Sequence, residues 1–274
     1  MTLPPENIGK VQNNGFEAVI GYHGNSGSFA YDLSLNGSYS RNKIVFWDET
    51  PGIPDYQKST GRPMGSTLYY HAIGIFKDQA AVDAYPHWAG AKPGDIIFKD
   101  VNNDSKIDAL DRVMNEKTWL PTFICGFSIG LKYKDFDLSM LIQGATGGQQ
   151  YVQAESGEIG NFYEDFAAHR WTPENINASY PRAYNRSDEY WIQNPNTFWL
   201  RSTDYVRMKN FELGYSLPSA VNSTLGIEKL RVYVNGLNLF TIDKAKIIDP
   251  EVASGAGQSY PLQRVINIGF TLTF

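Results

Sequence analysis

The chain has 274 residues, with 24 basic and 29 acidic side chains and a formal net charge of −5. Hydrophobic residues make up 42%, charged residues 19% and aromatics 14%, which excludes a disordered chain, a coiled coil and the basic footprint of a nucleic-acid binder. The single cysteine, Cys125, excludes an internal disulfide framework and a cysteine-rich zinc site.

The opening residues, Met1 to Glu6, carry neither the basic nor the apolar region of a signal peptide, so none is expected. A first strand reads over 14–22. From Phe29 the period is two. Phe29, Tyr31, Leu33, Leu35, Gly37 and Tyr39 share one face, and Ala30, Asp32, Ser34, Asn36, Ser38 and Ser40 share the other. After a long connection, Phe123, Cys125, Phe127, Ile129, Leu131 and Tyr133 alternate with Thr122, Ile124, Gly126, Ser128, Gly130 and Lys132. Lys134 and Asp135 turn the chain into Phe136, Leu138, Met140 and Ile142, which completes a hairpin. In 203–217 the apolar face moves from Val206 and Met208 to Phe211, Leu213 and Tyr215, a shift that a β-bulge produces. A strand over 228–240 follows, and the last sets Ile266, Ile268, Phe270, Leu272 and Phe274 against Asn267, Gly269, Thr271 and Thr273.

No apolar run reaches the ~18 residues of a transmembrane helix, but a barrel strand crosses with about 10 residues of alternating polarity. The strands here run to roughly 9–15 residues, where a soluble protein uses about 5 or 6. Their polar face is small and neutral. Connections alternate between short (23–27, 134–135, 218–227) and long (42–121, 145–202), with 241–263 intermediate. The pattern predicts an all-β fold, an antiparallel transmembrane β-barrel portion with short periplasmic turns and long extracellular loops. Leu33, Leu35, Phe127, Ile129, Phe270 and Leu272 then face lipid, while Ser34, Asn36, Ser38, Ser128 and Thr271 line the interior. Tyr22, Phe29, Tyr31, Tyr133, Phe136, Tyr215 and Phe274 form an interfacial girdle beside the short turns. Seven strands counted back from a periplasmic Phe274 leave 1–13 outside, so the expectation is one part of a larger barrel. Alone, it would leave strand edges unpaired in lipid. The alternative is a secreted, calcium-stabilised β-sandwich that binds carbohydrate.

One motif carries ligand chemistry. With Asp100 as the first position, oxygen donors fall at Asp100, Asn102, Asp104, Asp108 and Asp111, with the Lys106 carbonyl at the seventh, as in an EF-hand calcium loop. Ile107, at the eighth, is expected to pack inward. Ser105 replaces the turn glycine and Asp111 is shorter than the usual glutamate. Two readings stay open, a structural Ca²⁺ site and an Asx-rich turn held by its own hydrogen bonds. Trp47, Trp88, Trp119, Trp171, Trp191 and Trp199 fall in the proposed extracellular loops, either to stack on cargo or to pack the loops together. No enzyme is indicated. His23, His71, His87 and His169 lack metal-site spacing, Cys125 lies on the apolar face, and the pairs Asp48–Glu49, Glu164–Asp165 and Asp188–Glu189 cannot flank a glycosidic bond.

Several stretches also resemble a known family. They include Asn7-Ile8-Gly9-Lys10-Val11, Pro93-Gly94-Asp95-Ile96, Arg170-Trp171-Thr172-Pro173-Glu174, the run from Tyr205 to Pro218, the run from Leu230 to Phe240, Asp249-Pro250-Glu251 and the closing Phe274. In this order they resemble the C-terminal third of SusC/RagA-like TonB-dependent transporters of the Bacteroidetes outer membrane. The resemblance implies a plugged barrel of about 22 strands, with residues 1–274 supplying wall and loops and lacking the plug. It implies import of oligosaccharides or peptides across the outer membrane. The implied partners are the TonB–ExbB–ExbD complex, a SusD-like surface lipoprotein as lid, and outer-membrane lipid.

Overall fold

A computed structural model describes residues 8–153, 162–183, 194–252 and 260–274. The chain opens with β1 (Lys10–Ser26) and β2 (Phe29–Phe46), and the first long loop holds β3 (Leu68–Tyr70), β4 (Ala72–Ile75), α1 (Gln79–Ala84), β5 (Ile96–Phe98) and β6 (Arg112–Met114). Next come β7 (Phe123–Tyr133) and β8 (Phe136–Thr146), then a second long loop with β9 (Gln149–Tyr151), α2 (Glu164–His169) and β10 (Leu200–Ser202). The chain ends with β11 (Tyr205–Ser216), α3 (Ser219–Thr224), β12 (Lys229–Leu237), β13 (Thr241–Asp243) and β14 (Val265–Thr273).

The seven long strands are those the alternation predicts. They pair antiparallel in the order β1-β2-β7-β8-β11-β12-β14, with β13 joined to the upper part of β11. β1 and β2 are longer than expected, 17 and 18 residues. Their far ends pair with each other past the end of β7, whose register with β2 stops at Tyr39↔Phe123. The sheet is open, with β1 and β14 at its edges. Among the described residues the other strands form three two-stranded ladders in the loops, and no second sheet stacks on the wall as a β-sandwich requires.

Directly paired residues share a face, so the register sorts the whole wall. Ile20↔Leu35, Leu35↔Phe127, Phe127↔Ile142, Ile142↔Met208 and, lower down, Leu213↔Val234 and Val234↔Ile268 make one continuous apolar face. Glu17↔Ser38, Ser34↔Ser128, Lys132↔Asp137, Glu212↔Asn235 and Asn235↔Asn267 lie on the other. Among the described residues this face is open toward both edges of the sheet: Ile268 is 86% exposed and Phe270 69% on β14, and Ile20 68% on β1. No helix among the described residues is long and apolar enough to cross a membrane.

The short connections gather at one end. Gly27 (φ +60°) and Lys134 (φ +51°) supply the left-handed backbone that the two hairpin turns need, and α3 closes the third connection. The aromatic girdle forms there. Tyr22–Tyr31, Phe29–Tyr133 and Phe136–Tyr215 have ring centroids 5.4, 6.5 and 4.6 Å apart. The expected bulge in β11 is present, since the register with β8 jumps between Met208 and Asn210 and leaves Lys209 over.

At the opposite end the two long loops fold against each other around Tyr70, Ile96, Phe98, Ile107, Phe166 and Trp199. Their backbones are joined directly: the Tyr70 N–H donates to the Pro195 carbonyl (3.0 Å) and the Arg182 N–H to that of Gly94 (2.8 Å). The loops thus form a cap with its own core, tied by backbone contacts 88 and 125 residues apart in sequence.

Candidate functional site

The interior face carries two ion clusters. In the lower wall the Arg231 guanidinium on β12 donates to Asp137 on β8 (Nε to Oδ1, 3.0 Å) and to Glu212 on β11 (Nη2 to Oε1, 2.7 Å). It reaches across β11 because Gly214 lies beneath it, where an added Cβ would sit 2.2 Å from Nη2. Asn235 donates to Glu212 (3.4 Å) and Asn267 to Asn235 (3.0 Å), which extends the network to the β14 edge.

In the upper wall Arg207, only 3% exposed, donates to Thr241 Oγ1 (2.7 Å), Asp249 Oδ1 (2.9 Å) and Glu251. Lys209, the bulge residue, meets Glu251 at 3.0 Å. Asp249 also accepts the N–H groups of Glu251 and Leu262, both at 3.0 Å. Burial works against the Asp249 carboxylate, but these donors and Arg207 outweigh it and hold its pKa below the usual range. A buried guanidinium is tolerated only when paired in this way, and the pairing pins the 241–252 connection onto the interior face of β11. Sequence reasoning missed both clusters as sites; the available signal was charge at positions whose parity points inward.

Between that connection and the cap lies a cavity of about 210 Å³, bounded by Ile124, Ala145 and Tyr205 at the upper ends of β7, β8 and β11, by Trp119 and Pro121, and by Glu251. Gln150 and Thr203 line it, and each is only 8% exposed. Trp119 is 59% exposed and also lines a neighbouring cavity of about 390 Å³, together with Gln150, Tyr69 and Tyr151. These two tyrosines stack with centroids 5.7 Å apart, and burial raises the pKa of both phenols. A third cavity, about 690 Å³, runs between the Glu116–Pro121 strip and interior wall residues such as Asn13 and Asn42. Gly147 (φ +92°) and Gly148 allow this crowding; a Cβ on Gly148 would lie 2.4 Å from Thr203 Oγ1 and 3.2 Å from the Trp119 carbonyl.

The Asp100–Asp111 loop is ordered by its own oxygens. Asp100 accepts the N–H groups of Asp104 (3.3 Å) and Ser105 (2.9 Å), Asn102 accepts that of Asp104 (3.2 Å), and Asp104 accepts that of Lys106 (2.9 Å). Asp108 caps Leu110 (2.7 Å), and buried Asp111 closes the loop by accepting from Val101 (2.7 Å) and Asp108 (2.8 Å). Ser105 takes φ +65°, the backbone that favours glycine at that position. Ile107 packs into the cap core as its position predicts. Among the described residues no three His, Cys, Asp or Glu side chains converge as a metal-binding group. Both Asp111 oxygens are taken, so two-pronged ligation by it requires exchanging those hydrogen bonds.

The tryptophans divide. Trp199 is buried in the cap core, Trp88 packs edge-on to Tyr70 at 5.0 Å, and the Trp171 Nε1 donates to the Lys77 carbonyl (3.1 Å). Trp47 and Trp119 are exposed. Trp191 and the Asp188–Glu189 pair lie outside the described residues. His23 faces Asp32 across the wall and His169 meets Asp165 at 3.1 Å, so the histidines are dispersed. Glu49 accepts the Thr60 N–H (2.6 Å) and Asp165 the Tyr180 hydroxyl (2.6 Å), structural roles for these carboxylates. What the interior offers is binding chemistry: neutral hydrogen-bonding groups beside exposed aromatic rings.

No family model matches the chain. It is 29% identical over 265 residues to TonB-dependent receptor P3 of Formosa agariphila, covering 90% of this chain and 26% of that protein. It is 24% identical over 280 residues to TonB-dependent receptor SusC of Bacteroides thetaiotaomicron, covering 98% of this chain and 27% of that protein. Among solved structures it matches the RagAB peptide transporter with a TM-score of 0.72 at 21% identity, covering 98% of this chain and 30% of that one. The RagAB peptide importer in its open-open state gives 0.69 at 22% identity. The chain thus spans between a quarter and a third of the length of these relatives. The chain is similar in sequence to TonB-dependent receptors and in fold to the RagAB structures, over one stretch of their length.

Proposed function

We propose that this chain supplies wall and mouth to an outer-membrane, TonB-dependent importer of oligosaccharides or peptides. The observation that carries the proposal is the sorting of seven long antiparallel strands into one apolar face and one polar, charge-paired face. Lipid takes the first face and an aqueous or plug-filled lumen the second. The relatives named as TonB-dependent receptors support the same reading. Energy coupling through TonB–ExbB–ExbD belongs to parts of the importer outside this chain. The cap of long loops is the surface on which a SusD-like lipoprotein would close. Within that cap the Asp100–Asp111 loop takes a structural Ca²⁺, a reading supported by its oxygen spacing and by the left-handed Ser105. The role is transport, with no chemical step on the cargo.

Topology tests the proposal. Single cysteines at Gly90 in the cap and at Ser28 in a hairpin turn, in a Cys125→Ser background, are labelled with a membrane-impermeant maleimide in intact cells. Gly90→Cys should react at once and Ser28→Cys only after the outer membrane is breached. Equal labelling of both in intact cells, or recovery of the chain in the soluble fraction, would sink the proposal.

A further inference from the structure

We infer that Lys10, Arg41 and Lys43, on the outer face of the β1–β2 hairpin, bind the phosphate of an anionic lipid at the surface of the outer leaflet; the inference rests on the import reading and adds a lipid partner to it. Tyr39 pairs with Phe16, Arg41 with Asn14 and Lys43 with Gln12, on the face that Ile20 and Leu35 share lower down. Val45 is left over where the register shifts, so Phe46 comes round to pair with Lys10, which keeps the parity of Gln12. All three cations are exposed, as are Phe46 and Trp47. The apolar face of this hairpin thus ends in a basic stripe.

The height of the stripe selects the partner. Phe29 lies in the girdle beside the short turns, and Tyr39 stands ten residues above it on β2. At about 3.3 Å per residue and a tilt of about 40°, that is roughly 25 Å along the membrane normal, the height of a barrel's apolar band. Phe16 and Tyr39, stacked with ring centroids 5.7 Å apart, thus mark the far interface. Arg41 and Lys43 follow about 5 and 10 Å beyond, within reach of head groups for long, flexible side chains. Charge points the same way. The residues of this part of the face, Lys10, Gln12 and Asn14 on β1 and Arg41 and Lys43 on β2, include no acid. Among the described residues neither Lys10 nor Lys43 forms an ion pair. Arg41 has Glu116 at 3.7 Å, but that carboxylate is 3.1 Å from Arg62, so one anion serves two guanidiniums. Arg41 and Glu116 are both exposed, and such a pair holds weakly. A phosphate offers Arg41 the charge-assisted bonds that a shared carboxylate does not. The stripe continues the apolar face rather than standing on the cap, which favours a lipid over a soluble acidic partner.

Native mass spectrometry of a complete barrel carrying this chain, in tetraethylene-glycol octyl ether micelles, tests this. The probes are dioleoylphosphatidic acid and dioleoylphosphatidylcholine in equal amounts, alike in acyl chains and unlike in net charge. The barrel should retain the phosphatidic acid in preference. Each cation at the surface is worth about fivefold, so Lys43→Gln should lower that preference about fivefold and Arg41→Gln with Lys43→Gln about twenty-five-fold. Arg41→Lys with Lys43→Arg should keep most of it, and Lys77→Gln, which removes an exposed charge from the cap, should leave it unchanged. Fast migration on an unboiled gel, lost on boiling, shows that each variant has folded. No preference in the parent, an undiminished preference in the double glutamine variant, or an equal loss in Lys77→Gln overturns the inference. Release of the lipid by ammonium phosphate makes this a site for free anions and overturns the lipid assignment. Failure of the import reading would appear separately, in the labelling of Gly90→Cys and Ser28→Cys.

Discussion

Placing arginine at two adjacent positions of β14 distinguishes a lipid-facing wall from a solvated sheet. β14 has nine residues, which at about 3.3 Å each span roughly 30 Å, or roughly 23 Å along the membrane normal at a tilt of about 40°. Ile268 is its fourth residue, 86% exposed on the apolar face, and so lies close to mid-depth. An arginine there costs about 2–4 kcal/mol in lipid. Asn267 points the other way, and its Nδ2 donates to Asn235 Oδ1 at 3.0 Å. Asn267→Arg forfeits that hydrogen bond, about 0.5–1.5 kcal/mol, while its charge stays on the polar side. Ile268→Arg should therefore exceed Asn267→Arg by roughly 1–3 kcal/mol. Urea titration of each variant, carried in a complete barrel in dimyristoylphosphatidylcholine vesicles and followed by tryptophan fluorescence, measures the difference. A sheet with both faces in water would tolerate the two changes to within about 0.5 kcal/mol of each other. Near-equal costs, or a larger cost for Asn267→Arg, would refute the assignment of faces.

Three further outcomes are expected. Burial opposes ionisation of Asp204, but Lys244 (2.9 Å), the Gly147 N–H (2.9 Å) and the side chains of Thr146 and Ser202 outweigh it and hold the carboxyl at about 2. A depressed carboxylate contributes stability above its unfolded pKa of about 3.9, so the junction of cap and β11 should loosen as pH falls from about 4 to about 2. Hydrogen exchange at Gly147 and Lys244 reads this, and an unchanged pH profile in Asp204→Asn would disprove it. Gly94 sits at φ +87°, and a Cβ there would fall 2.6 Å from the Trp171 ring and 2.8 Å from Arg182 Cβ. Gly94→Ala should cost the cap at least about 2 kcal/mol, seen as faster proteolysis of the 76–95 segment; unaltered resistance would show that the ring can move away. For the Asp100–Asp111 loop, calorimetric titration with calcium should give heat that Asp104→Ala abolishes, and absence of heat would leave the hydrogen-bonded turn alone.

The wall was legible because its two faces meet different surroundings, and a two-residue period records that difference directly. The bulge was legible for the same reason, as a change of parity between Met208 and Phe211. Ile107 could be assigned inward from its place in the calcium-loop spacing, and it lies in the cap core. The cap itself left no such record. Tyr70 meets Asn196 across 126 positions, and strands as short as Leu68–Tyr70 and Gln149–Tyr151 are too brief to carry a period. Trp199 and Trp119 look alike in sequence, yet one is buried and the other exposed, because loop–loop packing decides which ring is covered. Gln149 and Gln150 are likewise identical neighbours. Only the ladder between β9 and β10 sends Gln149 to accept from Asn115 and sets Gln150, buried, in the cavity lining.

The bulge at Lys209 links the two halves of the interior. In an uninterrupted strand, Arg207 and Glu212 would point to opposite faces, since they are five residues apart. Either the Arg207 cluster or the Glu212–Arg231–Asp137 cluster would then project its charges onto the apolar face. The extra residue resets the parity, so that Tyr205, Arg207 and Lys209 above it and Asn210, Glu212 and Gly214 below it all face inward. Val206, Met208, Phe211, Leu213 and Tyr215 correspondingly all face outward. The unpaired backbone of the bulge is also put to use: the Lys209 carbonyl accepts the Asn238 N–H (3.1 Å), and the Met208 N–H donates to the Phe240 carbonyl (3.1 Å). That contact starts the connection which Arg207 and Lys209 then hold through Asp249 and Glu251. One added residue thus keeps the outer face apolar along the full strand, gathers both ion clusters on the interior, and sets Glu251 at the border of the cavity beside Trp119.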